Sequence, residues 1–106
     1  MQAPARAGMS EQGLVALSTE TGEVTANYDS CGERVLASAI KSRFAQMVDR
    51  CTLNDTAKLS AAQEAFQNAY SARLEVYSQS GATCAADFQA WHQTVLNILD
   101  EASGTC

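Results

Sequence analysis

The residues of this chain whose types and spacing could do chemistry are four cysteines, a single histidine and one pair of adjacent carboxylates. The cysteines are Cys31, Cys51, Cys84 and Cys106. None stands in a C-x-x-C pair, so neither a zinc knuckle nor a thioredoxin-like redox pair is supported. Wide spacing and an even count in a small chain favour disulfides and an oxidising compartment. The competing reading is four reduced thiols buried in a cytosolic helical protein, and the helix geometry below favours the disulfides. His92 could ligate haem or a metal, or act as a general base. A zinc site wants three or four ligands, and no local cluster of Cys or carboxylates accompanies this histidine. It is read as structural, partly buried and bonded to a neighbouring polar group. No C-x-x-C-H run is present for covalent haem attachment.

The remaining chemistry is sparse. No serine sits in G-x-S-x-G or another strained elbow, and there is neither a glycine-rich phosphate loop nor an EF-hand loop. Asp100 and Glu101 fall on a polar helix face near its end and read as solvated charges. Met1, Met9 and Met47 are too dispersed for a copper site, and Met47 is assigned to the core. Arg73 borders an apolar face beside Tyr70 and Tyr77, where its stem can snorkel along the rings or its head can pair with an acid or an anionic ligand. No catalytic residue, metal or cofactor is expected. The candidate contacts to a ligand or partner are Arg73, Tyr70, Tyr77, His92 and Trp91.

The elements that must position these residues read as helices. From Cys84 onward, Phe88, Trp91, Val95, Ile98, Leu99 and Ala102 share one face, an amphipathic stripe at helical spacing. Ser103-Gly104 is expected to end that helix in a left-handed cap. An earlier long helix spans 31–51, with Leu36, Ile40, Phe44, Met47, Val48 and Cys51 on its apolar side. Ser30 and Glu33 fit a capping box at its start. After a break at 52–55, Asn54 or Asp55 can cap a helix over 56–78. Asn54-Asp55-Thr56 also spells an N-glycosylation acceptor, but capping is the preferred reading. Leu59, Ala62, Phe66, Tyr70, Leu74 and Tyr77 form the main face of that helix, and Ala61, Ala65, Ala69, Ala72 and Val76 flank it. Gly81 turns the chain, and Thr83 is placed to cap the last helix.

Residues 1–9 are expected to be a flexible tail and 10–106 a single helical domain. MQAPARAG resembles the start of a mature secreted chain, with Met1 supplied for expression. Between Ser10 and Tyr28 two readings compete. One is a short helix capped by Ser10 and ending near Gly22; the other is a hairpin, since the stretch is rich in Thr and Val. The short helix is preferred. The three long helices should run up, down, up.

That arrangement selects the disulfides. Cys31 and Cys51 stand at opposite ends of one helix, about 30 Å apart, whereas a disulfide needs Cα atoms within about 7 Å. Cys84 and Cys106 are excluded alike, and Cys31–Cys106 with Cys51–Cys84 would join opposite ends of the bundle. Cys31–Cys84 and Cys51–Cys106 remain. The alanine flank is more apolar surface than a three-helix bundle needs, so Leu14 and Leu17 are expected to dock against it.

The fold expected is all-α: three long antiparallel helices, two disulfides and an N-terminal segment alongside. At 106 residues, with 46% apolar and 18% charged residues, the chain suits one modest core. No apolar run reaches the roughly 20 residues of a membrane span. Net charge is −5, and the seven Lys and Arg are scattered along the sequence. Nucleic-acid binding is therefore not expected. With no family resemblance in its motifs, the chain is read as a small secreted or periplasmic protein that binds another protein, as an inhibitor, immunity or accessory subunit would. A carrier of a small apolar ligand, held among Phe44, Phe66, Tyr70, Trp91 and His92, is the alternative. An enzyme is least favoured, and self-association is left open. A cavity among those aromatics would favour the carrier, and a filled core with an exposed apolar patch the interaction protein.

Overall fold

The computed structural model describes residues 9–82, 84 and 88–106. They form four α-helices: α1 Glu11–Ser30, α2 Arg34–Cys51, α3 Thr56–Ser80 and α4 Phe88–Thr105. Cys31 is bonded to Cys84 and Cys51 to Cys106, with Cα atoms 5.7 and 5.1 Å apart. This is the pairing that helix length selects. α2 and α4 are thus parallel neighbours clamped at both ends.

The N-terminal segment is where the sequence reading needs correction. It is neither a short helix ending near Gly22 nor a hairpin. It is one 20-residue helix, so the bundle has four long helices running up, down, up, down. Ser10 caps it as expected, its Oγ accepting the Gly13 N–H at 3.0 Å. Gly22 does not stop α1 because it is the point at which α1 meets α3. A Cβ at Gly22 would overlap the Phe66 carbonyl oxygen and lie 3.2 Å from the Tyr70 nitrogen. One turn to either side, Ser18 and Ala26 are fully buried. The hydroxyls of Ser18, Thr21 and Thr25 each donate to the carbonyl four residues back, at 2.7 Å. Bonded in this way, they can be buried without water, which is why a Thr-rich stretch can serve as an inner helix.

α1 does pack on α3, but not as leucines on alanines. The close approach is made by Gly22 against the α3 backbone, while Leu14 enters the central core. Only part of the alanine flank is covered, since Ala72 and Val76 remain exposed.

Caps and boundaries also differ: α2 begins at Arg34 instead of 31, and α3 runs on to Ser80 instead of 78. Ser30 closes α1 instead of opening α2. Glu33 stands at the α2 cap position and makes no side-chain cap bond, because Gly32 at φ +80° turns the chain between the two helices. Ser103-Gly104 does not end α4, which continues to Thr105 and is held there by the Cys106 disulfide. Cys84 precedes α4 rather than opening it. At the α2–α3 turn Asp55 caps α3, accepting the Lys58 N–H at 3.0 Å, and Gly81 leaves α3 at φ +83°. The cap expected at Thr83, and residues 1–8 of the tail expected over 1–9, lie outside the described residues.

The core runs along α2. Leu36, Ala37, Ile40, Phe44, Met47, Val48 and Cys51 are buried at helical spacing. Phe44 stacks on Phe66 of α3 with ring centroids 4.6 Å apart. Val95, Leu99 and Ala102 enter from α4, and Leu14 and Tyr28 from α1.

Candidate functional site

Side-chain size on the two sides of α1 decides where the bundle is open. Toward α3, glycine at the contact lets the backbones meet. Toward α4 the residues are bulky. Tyr28 stands edge-on to Trp91 at 5.2 Å and tilted against His92 at 5.8 Å, and Leu17, Val24, Val95 and Leu99 continue the row. α1 and α4 are therefore held apart, and a groove runs between them. At one end it is a recess of about 170 Å³ walled by Leu17, Val24, Trp91, Val95 and Ile98. Toward the α4 C-terminus it widens into a trough of about 610 Å³ reaching Met9, Ala16, Ala102 and Thr105. Leu17, Glu20 and Ile98 border both parts, which makes them one continuous feature. Trp91 is 36% and Ile98 46% exposed there. Both lie on the stripe read from sequence as core-facing. They face the groove because α1 stands too far off to cover them.

The charge on this face is one-sided. α1 carries Glu11, Glu20, Glu23 and Asp29, α4 carries Asp100 and Glu101, and neither helix has a Lys or Arg. Every Lys and Arg among the described residues lies on α2 or α3. Three of the six acids are engaged with those helices. The Arg43 Nη1 donates to both carboxylate oxygens of Asp100 at 2.6 and 2.7 Å, Arg73 meets Glu23 at 3.4 Å, and Lys41 lies 3.7 Å from Asp29. Glu20 and Glu101 border the groove with no salt bridge among the described residues.

The candidate contact residues read from sequence are not gathered in one place. Trp91 lines the groove. Tyr70 lies across the bundle, in a polar cleft of about 430 Å³ with Asp29, Arg34, Ser38 and Lys41. Its hydroxyl donates to Asp29 at 2.5 Å, and the Lys41 ammonium sits 5.1 Å from its ring centroid. The bond to Asp29, with burial second, pushes the Tyr70 hydroxyl up to about 12, so near neutrality it is a donor and not a base. Arg73 pairs with Glu23 instead of only snorkelling, and Tyr77 is half-buried beside it.

His92 is 8% exposed, and its Nδ1 has no hydrogen-bond partner among the described residues. Among the described residues, the polar neighbour that the sequence leads one to expect for His92 is not found at this nitrogen. Desolvation, with the Arg43 charge second, holds the imidazole below its ordinary 6.5. The unfolded chain then takes up a proton that the folded chain refuses. Stability from this source is complete above pH 6.5 and falls as pH drops below it toward the lowered folded value. Chemical denaturation from pH 7.5 to 5 should show that decline in the native protein and a flatter profile in His92→Gln. Equal slopes for the two would contradict it.

Among the described residues no group of three or more His, Cys, Asp or Glu is placed to hold a metal ion, and no helix is long and apolar enough to cross a membrane. The groove residues Leu17, Glu20, Val24, Ile98 and Glu101 are not among the candidate contacts read from sequence. The available signal was the absence of Lys and Arg from two whole segments, 11–30 and 88–105. No protein-family model, curated protein or solved structure matches the chain.

Proposed function

We propose that this protein works by binding another protein, as an inhibitor, immunity or accessory subunit does, and that the groove between α1 and α4 is the surface it uses. The observation that carries the reading is an open apolar groove at the surface of a bundle whose inner phenylalanines stack on each other. Phe44 and Phe66 stack in contact, and the apolar space lies at the surface between α1 and α4. That favours an interaction protein over a carrier of a small apolar ligand. Two disulfides and a small acidic body suit work in a secreted or periplasmic setting.

The test is affinity capture from the source's extracytoplasmic fraction with the native protein, Ile98→Asp and the outer-face control Ser60→Asp. A protein retained by the native chain and by Ser60→Asp, and lost with Ile98→Asp, is the expected result. Equal retention by Ile98→Asp would place the working surface elsewhere.

A further inference from the structure

We infer that the occupant of the α1–α4 groove is a basic amphipathic helix of about four turns, presented by the partner protein. The inference rests on the groove being the working surface and adds the chemistry of what fills it.

Shape is the first argument. Two antiparallel helices held apart by large side chains leave a valley parallel to their axes, and a third helix is the element that fits it along its length. The valley runs from Trp91 to Thr105 along α4. That is about 21 Å at 1.5 Å per residue, the span of a 14–15-residue helix. The recess at the Trp91 end is deeper and narrower than the trough, so it suits one large apolar anchor. Further anchors about two and three turns on from Trp91 would meet Ile98 and then Ala102.

Charge is the second argument and is independent of the first. The groove is bordered by Glu20 and Glu101, and among the described residues its lining includes no cation. The helices that form it carry only carboxylates, while the Lys and Arg of the described residues sit on the other pair of helices. A neutral or acidic helix would desolvate those glutamates without a partner. A helix with Lys or Arg flanking its apolar face would place a cation near each rim acid, at a position that favours steering and orientation. A second copy of this chain is disfavoured by the same reasoning, since its net charge is −5 and its own apolar face is ringed by acids.

The experiment is a display selection on the full disulfide-bonded protein. The library is of 15-residue helices with apolar anchors at helical spacing and randomised flanking positions. Binders are measured against the native protein, Ile98→Asp, and the double variant Glu20→Lys with Glu101→Lys. Circular dichroism is recorded on each variant to show that it is folded, and solution mass is recorded on the free protein. Lys and Arg enriched at the flanking positions, affinity at least tenfold weaker for Ile98→Asp, and acidic flanks recovered with the double Lys variant are expected. Binders that map to the groove but carry neutral or acidic flanks would overturn the inference while leaving the groove as a protein-binding surface. Binders unaffected by Ile98→Asp would overturn both. A dimer of the free protein that Ile98→Asp dissolves would make a second copy the occupant and overturn the inference as well.

Discussion

Replacing Cys51 and Cys106 with alanine is expected to lower the unfolding free energy by about 4 kcal/mol, read by urea denaturation of the oxidised proteins. The two residues are 55 positions apart in sequence. The bridge therefore closes a loop that holds all of α3 and all of α4, and denies the unfolded chain the freedom of both. The end it closes also holds the last turn of α4, where Gly104 would otherwise favour fraying. Cys31–Cys84, with a separation of 53, should be worth a similar amount. A domain of this size has about 5–15 kcal/mol to lose, so removing both bridges is expected to leave the chain largely unfolded. A loss below about 1 kcal/mol for either bridge would show that helix packing alone aligns α2 with α4.

The second large effect is at Gly22, where its sign is the informative part. Within an ordinary helix, Gly→Ala stabilises by up to about 1 kcal/mol. That is the expectation at Gly104, where an added Cβ meets nothing within 4 Å. At Gly22 the added methyl would overlap the Phe66 carbonyl oxygen, a backbone atom that cannot swing aside. Overpacking of this kind costs about 1–3 kcal/mol and must outweigh the gain in propensity. Gly22→Ala should therefore destabilise while Gly104→Ala stabilises, and Gly22→Leu should separate α1 from α3 and lower the melting temperature further. Stabilisation by Gly22→Ala would mean that α1 does not seat on α3 at this point.

Much of the fold was legible because its signals are strong and local. Leu36, Ile40, Phe44, Met47 and Cys51 repeat at helical spacing, and the length of a helix leaves one disulfide pairing. α1 was misread because its inner face is built from Ser18, Thr21, Gly22 and Thr25. These residues look polar or helix-breaking until the hydroxyls bond their own carbonyls and the glycine meets a neighbouring backbone. Neither event is encoded in local hydropathy. The groove was illegible for a related reason. Trp91 and Ile98 belong to an ordinary apolar stripe, and only the distance between α1 and α4 decides whether that stripe is covered. The segregation of charge was present in the sequence, but seven cations spread over 106 positions look scattered until the two helices carrying six of them are brought together.

The most direct test of an open docking groove uses the only tryptophan in the chain, since Trp91 stands in its wall. Acrylamide quenching of Trp91 fluorescence is measured in the free protein and then with a saturating basic amphipathic helix. The account predicts ready quenching when free, followed by a blue-shifted, protected emission when bound, with no such change in Ile98→Asp. A Trp91 already shielded in the free protein, or one equally quenched at saturation, would contradict it.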